Sequence, residues 1–255
     1  MDCTIKSVNK DKLSNSFTLL VDLTKKMLVN EIRMLRSFNH LHIIQLYQVF
    51  ESQEYVHLIY EYGKDLFEII KEKCVLPEGL AAPFILELLN TVNFYHKFNV
   101  IHRDLKHENI IFTDEHDLNS FKIAEFGMAT FENEVKKSRC GTEGFMAPEV
   151  IAKKEYGKKV DVFSIGIITN ILLTGEGLEF DTERKCFIEF RSMDEFKCNE
   201  MSQLAIQFIS KLTNKSAENR PTAEEAMNLN WLKARIIEES KGFSPSQNIL
   251  NCNHQ

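Results

Sequence analysis

The spacing of apolar positions in the first sixty residues changes from strand-like to helix-like and back. Residues 4–8 form a short strand candidate, and in residues 16–38 apolar side chains recur every three to five positions, which is typical of an amphipathic helix. Residues 43–50 and 55–62 are rich in β-branched and aromatic types and are separated by polar residues. These two runs predict a β-hairpin after the helix.

The remainder of the chain has mainly helical spacing. Asp65 is a candidate N-cap for a helix that ends near Lys73, and Pro83 lies near the first turn of a longer helix predicted over residues 79–98. The other predicted elements are short apolar runs at residues 109–112 and 121–124, and helices over residues 160–173, 201–212 and 222–231.

Glycine and proline are both scarce in this chain. There are 10 Gly and 5 Pro in 255 residues, below the averages of about 7% and about 5%. Collagen-like, linker-rich and Pro-rich disordered classes are therefore excluded. The first glycine is Gly63, so the first quarter of the chain cannot contain a glycine-rich loop that lets the backbone approach a phosphate closely.

The charge and cysteine patterns exclude further classes of protein. The chain has 31 Lys+Arg and 37 Asp+Glu, a net charge of -6, and lacks the basic field that nucleic-acid binding needs. Its six cysteines form no Cys-x-x-Cys pair, so we expect reduced thiols in the cytoplasm and no zinc ribbon or disulfide framework. The N-terminus lacks an apolar signal core, and polar side chains interrupt the longest apolar stretch, so we expect no membrane span.

Residues 102–109 carry the strongest chemical signal. They read HRDLKHEN and match, at every specified position, the H-R-D-L-x-x-x-N catalytic loop of protein kinases. In that loop an aspartate accepts the proton of the attacking hydroxyl, and an asparagine five residues later holds Mg²⁺ on the phosphates. The resemblance assigns these roles to Asp104 and Asn109. Lys106, between them, would neutralise charge that develops on the transferred phosphoryl group.

Other motifs extend the resemblance to nearly the whole chain. Glu-Phe-Gly at residues 125–127, Gly-Thr at 141–142 and Ala-Pro-Glu at 147–149 are similar, in this order, to the activation segment of eukaryotic protein kinases. Within that family, the segments HLIYEYGKDLFEII and RPTAEEAMNLNWL look most like the calcium/calmodulin-dependent and calcium-dependent Ser/Thr kinases.

The resemblance implies an α+β fold with two lobes. The small N-terminal β lobe would cover residues 1–62 and would be incomplete, because the chain begins where the family has its third strand, after the first two strands and the glycine-rich loop. The larger helical C-terminal lobe would cover residues 63–235. Residues 236–255 would form a C-terminal tail, and the polar positions 241–255 predict that it frays.

ATP and Mg²⁺ are the cofactors that the resemblance implies. Lys6 in the segment TIKSV resembles the nucleotide lysine of the family's V-A-I-K strand, with Glu31 as its helix partner. The other implied ligand residues are Glu61 and Tyr62 at the adenine, Asp65 at the ribose, and Asn109 and Glu125 at the metal. The partner would be a protein substrate with a Ser or Thr acceptor. No EF-hand loop follows Trp231, so calcium sensing would come only through a separate chain, if at all.

Three further assignments follow from the same resemblance. Glu149 would pair with Arg220 and tie the activation segment to the C-terminal helices. Ser138, which follows two lysines, is a candidate phosphorylation site, and Arg103 could pair with its phosphate. Thr142 is expected to be a structural hydroxyl near the catalytic base.

Two departures from the family pattern leave alternatives open. If residues 17–22 were the third strand, Leu20 would occupy the lysine position, although the helical spacing from Leu19 onward favours Lys6. Glu125 stands where the family has aspartate, and its extra methylene shifts the carboxylate by about 1.5 Å, whereas Mg²⁺ demands near-ideal geometry.

These departures support two hypotheses about activity. The first is a Ser/Thr protein kinase-like protein that transfers the γ-phosphate of ATP to a protein hydroxyl, and it rests on the intact catalytic loop. The second is a pseudokinase, a binding or allosteric module without phosphoryl transfer. It rests on the missing glycine-rich loop and on Glu125.

Overall fold

A computed structural model of the chain describes residues 2–10, 19–73, 75–134, 137–175, 180–181, 186–187 and 201–240. Its α-helices are α1 (Leu19–Ser37), α2 (Leu66–Lys73), α3 (Glu78–Lys97), α4 (Pro148–Ile151), α5 (Lys159–Thr174), α6 (Gln203–Leu212), α7 (Ala223–Met227) and α8 (Asn230–Ser240). Its strands are β1 (Cys3–Asn9), β2 (Leu46–Glu51), β3 (Tyr55–Glu61), β4 (Lys64–Asp65), β5 (Val100–Ile101), β6 (Ile110–Phe112), β7 (Phe121–Ile123), β8 (Thr130–Phe131), β9 (Phe180–Asp181) and β10 (Cys186–Phe187). The predicted α+β class is confirmed.

The first three strands form an antiparallel sheet in the order β1-β3-β2, which confirms both the strand over residues 4–8 and the hairpin. In the register of β1 and β3, Thr4 lies opposite Tyr60 and Lys6 lies opposite Leu58. Directly opposite residues and every second residue along a strand share one face of a sheet. These four side chains therefore lie on the same face, which is the face that packs towards α1.

The predicted amphipathic helix is confirmed as α1. Residues 19–22 are already helical, so the alternative of a third strand over residues 17–22 is wrong for those positions; residues 17 and 18 lie outside the described residues. The inward side of α1 carries the buried residues Leu28, Glu31, Met34 and Leu35.

The single helix predicted over residues 222–231 is wrong, because the chain forms α7 and α8 instead. Thr222 and Glu225 form a reciprocal capping box at the start of α7, and Asn228 ends that helix after five residues. The buried Trp231 then lies in the first turn of α8. Helix α8 continues to Ser240, past the predicted start of the tail at residue 236, and residues 241–255 lie outside the described residues.

Helix α5 lies at the centre of the larger core, and every side chain from Val160 to Leu172 is buried. Arg220 packs on it, with its guanidinium over the ring of Phe163 at 4.9 Å. The same guanidinium binds Glu149 in a bidentate pair with nitrogen-oxygen distances of 2.8 and 3.1 Å, which is the ion pair predicted from the sequence. None of the described helices is long and apolar enough to cross a membrane.

Glu78, at the start of α3, joins three helices through one carboxylate. It accepts hydrogen bonds from the main chain and hydroxyl of Ser202 before α6, and from Trp231 and Arg235 on α8. Burial alone would raise the pKa of Glu78, but these hydrogen bonds outweigh burial and hold the pKa below its ordinary value of 4.5. The ionised carboxylate therefore stabilises the folded chain.

Replacing Glu78 with Gln should make the free energy of unfolding depend less on pH in the acid range. A lowered folded-state pKa contributes stability above the unfolded-state value, and that contribution is lost as pH falls through the folded-state pKa. Urea denaturation between about pH 6 and about pH 3 should therefore show a shallower fall in unfolding free energy for Glu78→Gln than for the wild type. Glu155→Gln, on an exposed side chain, should keep the wild-type slope. Equal slopes for Glu78→Gln and the wild type would contradict this role.

Candidate active site

A cavity of about 410 Å³ lies between the β1-β3 sheet, α1 and the loops after β5 and β7. Ile44, Ile111 and Ala124 supply part of its apolar lining. Its polar and charged lining is Thr4, Lys6, Glu31, Tyr60, Asp104, Lys106, Glu108, Asn109 and Glu125. Six residues that the sequence singled out are therefore brought together in one place: Lys6, Glu31, Asp104, Lys106, Asn109 and Glu125.

Lys6 lies between two carboxylates at this cavity. Its Nζ is 2.9 Å from Glu31 Oε2, and 2.9 and 2.7 Å from the two carboxylate oxygens of Glu125. An ammonium group has three N–H donors, so these three contacts use all of them. Burial lowers the pKa of Lys6, but the charges of Glu31 and Glu125 outweigh it, and the pKa lies above its ordinary value. Lys6 is therefore held as a cation.

Glu31 is a buried carboxylate whose two oxygens have different partners. Oε2 faces Lys6, and Oε1 accepts a hydrogen bond of 2.7 Å from the hydroxyl of Tyr60 on β3. Burial raises the pKa of Glu31, and the charge of Glu125 raises it further, while Lys6 and Tyr60 offset only part of this. The pKa values of Lys6 and Glu31 can both be raised, because one ammonium group pairs with two carboxylates. Glu31 is the more buried of these two carboxylates.

The loop of residues 102–109 is anchored by Asp161 of α5. Its carboxylate accepts the main-chain N–H groups of His102 at 2.9 Å and Arg103 at 3.0 Å, and it also contacts Tyr95 and His96. Burial would raise the pKa of Asp161, but these hydrogen bonds and the neighbouring histidines hold it below its ordinary value. Arg103 is thereby fixed at a φ of +69°, a left-handed conformation that few side chains adopt.

Asp104 is oriented by two neighbours. Thr142 donates its hydroxyl to Asp104 Oδ1 at 2.7 Å, as a structural hydroxyl near the base. Asn109 Nδ2 donates to the main-chain oxygen of Asp104 at 2.8 Å and lies 3.4 Å from Oδ2. A Cβ at Gly141 would lie 2.6 Å from the main-chain oxygen of Arg103, so the residue before Thr142 has to be glycine. The Asp104 carboxylate is therefore fixed at the open side of the cavity.

Glu125 and Asn109 are the candidate metal ligands. The nitrogen of the Asn109 amide faces Asp104, so its oxygen is the atom able to bind a cation. Together with the Glu125 carboxylate this gives hard oxygen donors, which fit Mg²⁺, a cation that keeps several waters and takes few protein ligands. Among the described residues no group of three or more His, Cys, Asp or Glu side chains could hold a metal ion.

Three residues predicted at the nucleotide do not line the cavity among the described residues. The Glu61 carboxylate accepts the main-chain N–H of Gln45 at 2.9 Å and pairs with Lys122 at 3.2 Å. Tyr62 is exposed. Asp65 Oδ1 accepts the main-chain N–H of Glu68 at 2.9 Å, which confirms its predicted role as the cap of α2.

Two residues that contact the site were not among the predicted site residues. Tyr60 immediately precedes the predicted adenine residues in sequence, and its hydrogen bond to Glu31 becomes visible once the strand register places it beside Lys6. Asn30 donates to three carbonyls of the segment after Glu125. In sequence it is only the neighbour of Glu31.

The candidate phosphorylation site also lies near its expected partner. Ser138 Oγ is 3.5 Å from the Arg103 guanidinium and 3.0 Å from the hydroxyl of Tyr156, which in turn lies 3.3 Å from the guanidinium. Arg103 also donates to the main-chain oxygen of Met128 at 2.6 Å. The cation is therefore within reach of a group attached to Ser138.

Comparisons with known proteins agree with this geometry. A family model described as the protein kinase domain matches residues 2–232. The chain is 37% identical over 213 residues to a calcium/calmodulin-dependent protein kinase type 1 of Macrobrachium nipponense, covering 80% of this chain and 62% of that protein. Kinases with the same name from Caenorhabditis briggsae and Caenorhabditis elegans are each 35% identical over 216 residues, covering 82% of this chain and 61% and 62% of theirs. The chain thus spans about three fifths of the length of these relatives.

Replacing Tyr60 with Phe should destabilise the folded chain. Leaving a buried carboxylate oxygen of Glu31 without its donor costs about 1–3 kcal/mol, and the ring that fills the space is retained. Urea denaturation at neutral pH measures the loss. The matched control is Tyr62→Phe, at an exposed ring, for which we expect a change within about 0.5 kcal/mol. If the two substitutions had the same effect, the hydroxyl of Tyr60 would not support Glu31.

Proposed function

The chain belongs to the protein kinase family, and we propose that it transfers the γ-phosphate of ATP to a Ser or Thr hydroxyl of a protein substrate. The observation that carries this proposal is the Asp104 carboxylate, which Thr142 and Asn109 orient at the same cavity as the Lys6–Glu31 pair. A base and a phosphate-binding cation at one cavity are two of the parts that phosphoryl transfer uses. Lys106 and the Gly141-Thr142 pair favour Ser and Thr over Tyr as acceptor.

In the proposed reaction Asp104 acts as the general base. The acceptor hydroxyl approaches the Asp104 carboxylate and gives up its proton to it, while the hydroxyl oxygen forms a bond to the γ-phosphorus. The bond between that phosphorus and the bridging oxygen of the β-phosphate breaks, and ADP leaves with the electron pair. Lys106, which lines the same cavity, neutralises charge on the phosphoryl oxygens as they pass.

Kinases of this family generally use ATP and Mg²⁺, and the cavity offers groups for both. Lys6 would bind the phosphates while Glu31 holds its ammonium group, and Asn109 and Glu125 would hold the metal. When bound, Mg²⁺ neutralises charge on the β- and γ-phosphates. All three N–H donors of Lys6 are used by Glu31 and Glu125, so Lys6 would give up a contact with Glu125 to bind a phosphate.

The adenosine part of the nucleotide is assigned to the end of β3 and the residue that follows it. Tyr60 lines the cavity, and the main chain of Glu61 and Tyr62 continues from it, so their main-chain groups are the proposed adenine contacts. Asp65 Oδ1 is used by the α2 cap, so Oδ2 is the proposed ribose contact. This places the cavity at the boundary between the proposed lobes, residues 1–62 and 63–235.

Calcium dependence is a further part of this proposal. The relatives are named as calcium/calmodulin-dependent kinases, and no EF-hand loop follows Trp231 in this chain. Following the names of these relatives, the proposed regulation by calcium acts through a separate calcium-binding chain.

Asp104→Ala should abolish phosphate transfer with little effect on folding. Loss of a positioned general base lowers a rate by about 10²- to 10⁴-fold. Incorporation of label from γ-labelled ATP with Mg²⁺ into casein, and into the chain itself, measures transfer. The control is Asp117→Ala, on an exposed turn, which should retain wild-type incorporation. If the wild type incorporated no more label than Asp104→Ala, the chain would not be a phosphotransferase.

A further inference from the structure

The side chain of Asn30 connects α1 with the segment that follows Glu125. Its Nδ2 donates to the main-chain oxygens of Phe126 at 3.3 Å, Gly127 at 3.1 Å and Ala129 at 2.6 Å. Asn30 lies on α1 immediately before Glu31. One helix therefore supplies both the carboxylate that pairs with Lys6 and an amide that binds the backbone next to Glu125.

Glu125 needs such support because its backbone is strained. Its φ and ψ are 61° and 57°, the left-handed region, where a side chain other than glycine costs about 1–3 kcal/mol and persists only when the surroundings impose it. This conformation aims the Glu125 carboxylate at the cavity and at Lys6. The segment from Phe126 to Ala129 is what fixes the backbone on the C-terminal side of the strained residue.

Packing supplies the apolar part of that support. The buried ring of Phe126 lies 4.7 Å from His102 and 5.6 Å from Phe38, measured between ring centroids. A Cβ at Gly127 would lie 3.4 Å from the main-chain oxygen of Met27, so the segment runs directly against α1. Asn30 supplies hydrogen bonds at this contact, to the carbonyls on both sides of Met128.

The chemistry of the contact requires an amide at position 30. Three carbonyl oxygens converge on one nitrogen, and a neutral amide group has two N–H donors to share among them. An aspartate of the same shape would place carboxylate oxygens against carbonyl oxygens, and an alanine would leave the carbonyls without this donor.

We propose that Asn30 is a positioning residue that holds residues 126–129 on α1, so that Glu125 keeps the strained conformation in which it faces the cavity. The metal-binding part of this inference rests on the proposed function, whereas the structural coupling does not. Asn30 and Glu31 both lie on α1 and move with it. A displacement of α1 would therefore take Glu31 away from Lys6 and shift Glu125, the candidate metal ligand, at the same time. Helix α1 and the Glu125 segment would then respond as one unit to whatever contacts the helix.

Hydrogen exchange of the nucleotide-free chain tests the coupling without any ligand. Asn30→Asp and Asn30→Ala should each raise amide exchange of residues 126–131 about tenfold, while exchange in α3 and α5 stays at the wild-type rate. The matched control is Asn90→Asp, on the exposed face of α3, which should leave residues 126–131 unchanged. Unchanged exchange at residues 126–131 in both variants, or a rise of equal size throughout the chain in both, would overturn the proposal.

A second measurement tests whether the coupling reaches the metal site. Affinity for ADP is compared with Mg²⁺ and with EDTA, and the ratio isolates the contribution of the metal. Asn30→Asp and Asn30→Ala should each lower this ratio about tenfold and leave the affinity for ADP in EDTA within about twofold of wild type. A general loss of fold would instead lower the affinity for ADP in Mg²⁺ and in EDTA alike. An unchanged ratio would overturn the link to Glu125. Failure of the wild type to bind ADP would instead contradict the proposed function, and the exchange result would still decide the role of Asn30.

Discussion

The buried carboxylate of Asp161 is the constraint on which the active site depends. A carboxylate without contact to solvent costs several kcal/mol unless hydrogen bonds replace its hydration, and at Asp161 those bonds come from Tyr95, His96 and the main chain of residues 102 and 103. The catalytic loop therefore cannot leave α5 without exposing a charge to the apolar core. This fixes the backbone from which Asp104 and Asn109 project.

On the opposite side of the cavity, Lys6 and Glu125 form an ion pair that is partly exposed to solvent. Lys6 and Glu125 have side chains that are 34% and 46% exposed, and ion pairs at such exposure contribute little to stability. The loop that carries Asp104 is thus held by buried hydrogen bonds that are costly to break, whereas the contact between Lys6 and Glu125 is partly solvated and can rearrange. A site that must bind and release a charged ligand benefits from this division.

Sequence motifs identified the residues that line the cavity because the spacing of these motifs is set by local backbone geometry. Asp104 and Asn109 are five residues apart on one anchored loop, and the period of two along β1 turns Lys6 to the cavity face. Contacts between distant elements were not visible in a single sequence: Tyr60 is 29 residues from Glu31, and Asn30 is 99 residues from Ala129. The break between α7 and α8 was also missed, because the apolar spacing continues across Asn228, where α7 ends.

The most direct test of the proposed site is the structure of the chain with a non-hydrolysable ATP analogue and Mg²⁺. We expect Lys6 to keep Glu31 and to bind a phosphate oxygen in place of a Glu125 contact, with Glu125 and Asn109 bound to the metal. Metal bound without any contact from the Glu125 carboxylate would contradict the metal-ligand role. A cavity that stays empty at saturating nucleotide would contradict the site as a whole.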